Sequence, residues 1–272
     1  MTRREVLPLV FAGARAFGQT TETKAARAKV VVAEAIAALG GDKFSAMRDR
    51  TETGRAYSFY RDRLTGLSRA VIYTRYMRRP DPPPVPPGFY VRERQSFLDK
   101  KRKEEYALLF DEKDGWQIGF RGARPALKET VTRWRDSMRR NIFYTLRHRL
   151  DEPGLIIESK GTEVFENQAV ELVEFVDTDN TSVTVYFSRS TKLPLRQVFF
   201  RRDPVSRERH EEVTLFSKFR PSSGVMWPWA ITRTRDGEKV FEIFSDSVLI
   251  DQDLDDSRFT LPANVKILPE LK

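Results

Sequence analysis

The sequence predicts an α+β chain in which antiparallel strands dominate. Three observations lead there. After Gly154 no helical period returns, and seven short segments rich in β-branched and aromatic residues follow one another between turn signals. Tyr106, Leu108 and Phe110 alternate in the same way as Trp116, Ile118 and Phe120 across a turn at 111–115, the pattern of a hairpin. Helical spacing is confined to residues 23–39 and 127–150.

In chain order, Arg3 and Arg4, an apolar stretch from Val6 to Ala14 and a small-residue pattern at Ala14 to Gly18 resemble a secretory signal over residues 1–19. Residues 20–272 are expected to form a single domain, because no linker or composition break divides them. Ala26, Val30, Ala33 and Ala37 recur at three- and four-residue steps, so residues 23–39 are expected as a first helix, stopped by Gly40-Gly41. Short strands follow between 50 and 120. The prolines at 80, 82, 83, 84, 86 and 87 interrupt them with an extended loop, since proline can join neither a helix interior nor a central strand. Leu127, Val131, Trp134, Met138, Ile142, Leu146 and Leu150 form one stripe, which predicts a single long amphipathic helix with arginines on its outer side. Strands are then expected near 155–165, 169–177, 182–188, 195–202, 211–219, 229–235 and 239–250.

Composition narrows the function. At 272 residues and 40% apolar content the chain can bury a sizeable core, and no apolar run reaches the length of a membrane-spanning helix. The absence of cysteine excludes disulfides, thiolate metal sites, thiol nucleophiles and an acylated N-terminal cysteine. His148 and His210 have no recognisable catalytic or metal-ligating companions, and no nucleophile elbow, phosphate loop or dinucleotide fingerprint occurs. No catalytic residue, metal or cofactor is assigned. Hydrolysis would call for a cluster of buried polar groups in a cleft. Asp251, Asp253, Asp255 and Asp256 lack the glycine and glutamate of a calcium loop and read as a turn. Between Arg69 and Arg149 basic residues number twenty against ten acidic ones, so the net charge of +9 belongs to the middle of the chain. A solvated face or an anionic membrane surface accounts for this; nucleic acid is not expected, because it does not fit an exported protein.

Thr191-Lys192-Leu193-Pro194, Phe216-Ser217-Lys218-Phe219-Arg220 followed by Gly224-Val225 and Trp227-Pro228-Trp229, and Phe259-Thr260-Leu261-Pro262 occur in this order behind the first helix, strands and central helix. Together they resemble the LolA/LolB-like superfamily of periplasmic lipoprotein-sorting and lipid-carrying proteins. The resemblance implies a half-open curled β-sheet, an incomplete barrel, with helices covering an apolar concave side that holds acyl chains. Without an N-terminal cysteine the chain resembles the soluble carrier of that superfamily, acting in the periplasm on lipid or lipoprotein acyl chains on their way to the outer membrane. The proline-rich loop and the arginine-dense helix depart from the carriers' pattern and favour general lipid binding over lipoprotein transfer. Trp116, Ile118 and Phe120 from the hairpin and Val131, Trp134, Met138 and Ile142 from the helix are the candidate wall or lid residues. Arg133, Arg135, Arg139 and Arg140 are the candidate membrane-surface contacts. The alternative within the same fold is an envelope sensor that reports to a protein partner.

Overall fold

The computed structural model describes residues 21–81, 84, 88–203 and 206–270; the signal expected at 1–19 lies outside them. Its backbone is one 13-stranded antiparallel sheet. The strands are β1 (Asp49–Tyr60), β2 (Arg63–Tyr76), β3 (Val91–Leu98), β4 (Glu104–Phe110), β5 (Gly115–Gly119), β6 (Gly122–Pro125), β7 (Ile156–Phe165), β8 (Gln168–Val176), β9 (Ser182–Ser188), β10 (Pro194–Arg202), β11 (Arg209–Ser222), β12 (Val225–Arg235) and β13 (Glu238–Ile250). Two meanders, β1 to β6 and β7 to β13, join where β1 pairs with β13, so the spatial order is β6-β5-β4-β3-β2-β1-β13-β12-β11-β10-β9-β8-β7. The seven strands expected after Gly154 all form, and the sheet is curled without closing into a barrel.

This order dictates where the helices lie. β6 and β7 are neighbours in sequence but opposite edges of the sheet, so residues 126–155 must cross from one edge to the other. They cross on the concave side, carrying α3 (Lys128–Arg140) and α4 (Ile142–His148). Curling is aided by register shifts in the β1 pairings; at one of them a Cβ on Gly54 would lie 2.3 Å from the Phe244 carbonyl oxygen, so only glycine fits there.

The rest of the concave side is filled. Helix α1 (Thr21–Leu39) sets Ala28, Val31, Val32 and Ala35 against Val173, Phe175, Val185 and Phe187 in one buried cluster, where small helical side chains permit close approach to the sheet. Arg27 Nε donates to Glu171 at 2.8 Å and Lys192 pairs with Glu34 at 2.9 Å along its edges. The short helix α2 (Asp42–Ala46) adds Phe44, which is fully buried, as is Met47 just beyond it. On the outer side, the C-terminal stretch turns through a 3-10 helix (Asp256–Phe259) and returns to β6, where Ala123 donates to Lys266 and accepts from Leu268 at 2.9 and 2.7 Å. That tail covers part of an otherwise unpaired sheet edge.

Two expectations are corrected. The single helix over 127–150 is broken at Asn141, whose backbone is extended and whose Oδ1 accepts from the amides of Phe143 and Tyr144 at 2.9 and 3.4 Å. Asparagine thus ends one helix and caps the next, while the Ile142 amide is taken by Gln197 Oε1 at 3.0 Å. The β4–β5 hairpin forms, but with a different phase. Phe110 pairs with Gly115 and Leu108 with Gln117, so Tyr106, Leu108 and Phe110 face inward while Trp116 and Ile118 face outward.

Candidate functional site

Between α3 and the middle of the sheet lies a cavity of about 410 Å³. Strand alternation builds its floor, with inward positions of β12, β13, β1, β2, β3 and β4 side by side. Ile72, Phe97, Leu108, Phe110, Ile231 and Phe241 supply apolar wall, and Trp134 and Met138 form the roof from α3. The wholly apolar concavity implied by the sequence is thus corrected in part. The end filled by α1, α2 and α4 is packed solid, and the hollow end is zoned, with Arg50, Glu52, Glu93, Arg201, Glu212, Arg233 and Arg235 sharing its lining.

The innermost charges form a clamp. Arg50 pairs with Glu52 through a short contact, donates to Thr74 Oγ1 at 3.0 Å and lies 4.3 Å over the Trp227 ring. Thr74 reaches Glu93 Oε2 at 3.4 Å, and Glu93 Oε1 accepts from Gln95 Nε2 at 2.6 Å and from the Trp134 indole at 3.1 Å. Burial pulls the Arg50 pKa down, but Tyr76, Glu52 and Glu93 outweigh it and hold the guanidinium above its ordinary value. The cluster of buried polar groups that would suggest hydrolysis therefore exists, but its carboxylates are occupied by donors on β1, β2, β3 and α3 and by Ser245 on β13. It ties α3 to the sheet, and neither histidine belongs to it.

The candidate residues separate into three groups. Trp134 and Met138 line the cavity. Trp134 stacks on Phe110 at 4.7 Å with its ring nearly parallel and meets Phe89 edge-on at 5.2 Å. Val131 and Ile142 are packing residues: a Cβ on Gly115 would come within 2.7 Å of Val131 Cγ2, which shows how closely α3 lies on β5, and Ile142 is sealed in the core. Trp116, Ile118 and Phe120 are not cavity wall. Trp116 and Ile118 pack on the outer face with Phe259, Leu261 and Val265 of the C-terminal tail, and Phe120 is 90% exposed in the β5–β6 turn. Four residues, 111–114, connect β4 to β5, so even-numbered residues of one strand oppose odd-numbered residues of the other.

The arginines placed on the outer face of the helix mostly bind the protein itself. Arg135 donates to the Glu112 carbonyl, Arg139 to Glu152 at 3.0 Å, and Arg140 lies 5.2 Å over Phe199 and pairs with Asp136 at 3.4 Å. Arg133 is exposed, pairs with Glu129 and borders the cavity. Three of the four membrane-contact candidates are thereby committed to fastening α3 to the body.

The remaining polar clusters are structural. Asp49 accepts from Gln252 and Leu254 amides at 2.8 and 3.2 Å, Asp251 from the Arg48 amide at 2.7 Å, and Asp255 caps the 3-10 helix through the Ser257 amide at 2.8 Å. Among the described residues no group of three or more His, Asp or Glu is placed to hold a metal. His148 is packed among Tyr76, Tyr90 and Tyr144, and burial, with Arg147 and Arg79 nearby, lowers its pKa to about 3. It is neutral at ordinary pH.

No protein-family model matches the chain, and no curated relative matches it. Solved structures do. A DUF1329 family protein from Desulfovibrio piger superposes with a TM-score of 0.58 at 12% identity, covering 86% of this chain and 97% of that one. A putative outer membrane lipoprotein-sorting protein domain from Vibrio parahaemolyticus gives 0.56 at 13% identity, over 88% and 97%. A LolA superfamily protein from Nitrosomonas europaea gives 0.51 at 14% identity, over 83% and 97%. Identities this low establish shared architecture alone, and that architecture is the one implied by the order of the sequence signatures: the chain has a LolA-like fold.

Proposed function

We propose that the protein is a periplasmic carrier that holds a lipid acyl chain between α3 and the sheet, in transit to or sorting at the outer membrane. The observation that carries this reading is the cavity of about 410 Å³, roofed by Trp134 and Met138 and walled by Ile72, Leu108, Phe110 and Ile231. Its volume falls within the roughly 300–1,000 Å³ of small-molecule sites. Each methylene removed from water contributes about 0.8 kcal/mol, so even part of an acyl chain in such a space is strongly held. Release requires that α3 move, and on the cavity side α3 is held by the Trp134–Glu93 hydrogen bond and the Trp134–Phe110 stack. The polar stripe on the floor favours an amphiphile lying along the cavity over a purely hydrocarbon guest.

The protein purified from the envelope of a Gram-negative host, extracted with organic solvent and analysed by mass spectrometry, should yield an acyl species in near-stoichiometric amount. Absence of any acyl species, together with failure of a fluorescent fatty acid to bind, rejects the carrier reading. Transport itself would be tested by transfer of the bound species to acceptor vesicles.

A further inference from the structure

Of the arginines lining the cavity, Arg233 is the one left without an acceptor. Its guanidinium makes no hydrogen bond or ion pair among the described residues, and lies 5.6 Å from the Phe241 ring. The carboxylates whose fields reach it are engaged elsewhere: Glu93 by Thr74, Gln95 and Trp134, and Glu212 by Arg235 at 2.8 and 3.1 Å. Arg233 is exposed, yet the protein crowded around its guanidinium lowers its pKa. Both hold for a side chain standing inside an open concavity rather than on an outer face. The lining as a whole carries five arginines against three glutamates. The surplus selects an anion.

Position adds the second half of the ligand. Arg233 and Ile231 are on the same face of β12, roughly 7 Å apart along the strand, and their cross-strand partners on β13 are Phe241 and Ile243. From there the cavity runs across β13, β1, β2 and β3 to Leu108 and Phe110 on β4, about 24 Å measured across six strands. A volume of about 410 Å³ spread over that length makes a slot. A free cation at one end of a slot walled by Ile72, Phe97, Leu108, Phe110 and Ile231, with a paired polar stripe on its floor, matches a single-chain amphiphile with one anionic head.

We propose that Arg233 is the headgroup-binding residue of the cavity, accepting a carboxylate or phosphate on its guanidinium fork while the alkyl chain extends across β13, β1 and β2 toward Leu108 and Phe110. The inference rests on the carrier reading and names its ligand class: an anionic amphiphile such as a fatty acid or an alkyl phosphate.

Titrating the full chain calorimetrically with palmitate, hexadecyl phosphate and hexadecanol, below their aggregation thresholds, tests it. Both anions should bind at least about tenfold more tightly than the alcohol, as one charge-assisted hydrogen-bonded pair supplies, and the tighter of the two identifies the head. Arg233→Gln should abolish that preference, Arg233→Lys should keep part of it, and the surface variant Arg209→Gln should leave it intact. Arg233→Gln should melt within a few degrees of the parent, because the exposed guanidinium makes no hydrogen bond or ion pair within the fold. Equal affinity for palmitate and hexadecanol, or a preference that survives Arg233→Gln, overturns the headgroup assignment and leaves the carrier reading standing. If none of the three binds, the carrier reading fails with it.

Discussion

The indole N–H of Trp134 donates to Glu93 Oε1 at 3.1 Å, joining the middle of α3 to the inward face of β3 across the roof of the cavity. Trp134 is 9% exposed and Glu93 is 6% exposed, so neither partner has water as a ready substitute. Any opening of α3 that admits a ligand must break this bond and slide the indole off Phe110.

Trp134→Phe removes the donor and keeps an aromatic ring on Phe110. The expected cost is about 1–3 kcal/mol in urea unfolding, from a buried carboxylate oxygen losing one of its two side-chain donors. The same variant should exchange a bound fluorescent fatty acid faster in stopped flow. An unchanged exchange rate would show that α3 does not gate the cavity.

Met138 faces the cavity from α3 and is only partly buried, so Met138→Trp can grow into free space. Fatty-acid affinity is expected to drop about tenfold or more, with melting shifted by no more than a few degrees. Undiminished binding would place the chain elsewhere.

Ile118 offers the opposite pairing of effects. It is 7% exposed beneath the C-terminal tail, on the face turned away from the cavity. Ile118→Ala should destabilise by about 2–4 kcal/mol and leave fatty-acid affinity within twofold. A large loss of affinity in folded protein would contradict the assigned strand phase.

His148 gives a pH signature. Its pKa is lowered from 6.5 to about 3 by burial and by Arg147 and Arg79. Below pH 6.5 the unfolded chain takes up a proton that the folded chain refuses, so this contribution is complete above that value and is lost as pH falls toward 3. Between pH 7 and 5 the loss is up to roughly 2 kcal/mol. His148→Phe, next to Tyr76, Tyr90 and Tyr144, should flatten that part of the stability profile measured by urea unfolding; an unaltered slope assigns the acid sensitivity to other groups.

The site was legible where periodicity carries the information. Trp134 and Met138 follow from the apolar stripe of 127–150, because a helix over a sheet turns its greasy side inward wherever it lies. Glu93 and Arg233 did not stand out, though their signal is present: each is a charged residue on the inward phase of a strand, Glu93 with Val91 and Phe97, Arg233 with Trp227 and Ile231. A charge in that position must be paired or wetted. The outward arginines were misplaced because their long side chains reach carbonyls and carboxylates on neighbouring elements, contacts that no spacing within α3 records.

By itself the sequence determined the kinds and succession of elements, since apolar periods of two and of three to four residues, punctuated by Gly, Pro and Asn, are local properties of the chain. Only the tertiary structure decided which side of each strand is the inside. The four-residue connection between β4 and β5 turns Trp116 outward, Asn141 and Gln197 together break the long helix, and the opposite edge positions of β6 and β7 draw α3 over the sheet. A strand's phase, a helix's break and a cavity's emptiness each depend on partners distant in sequence, and pairing across the sheet is what brings those partners into contact.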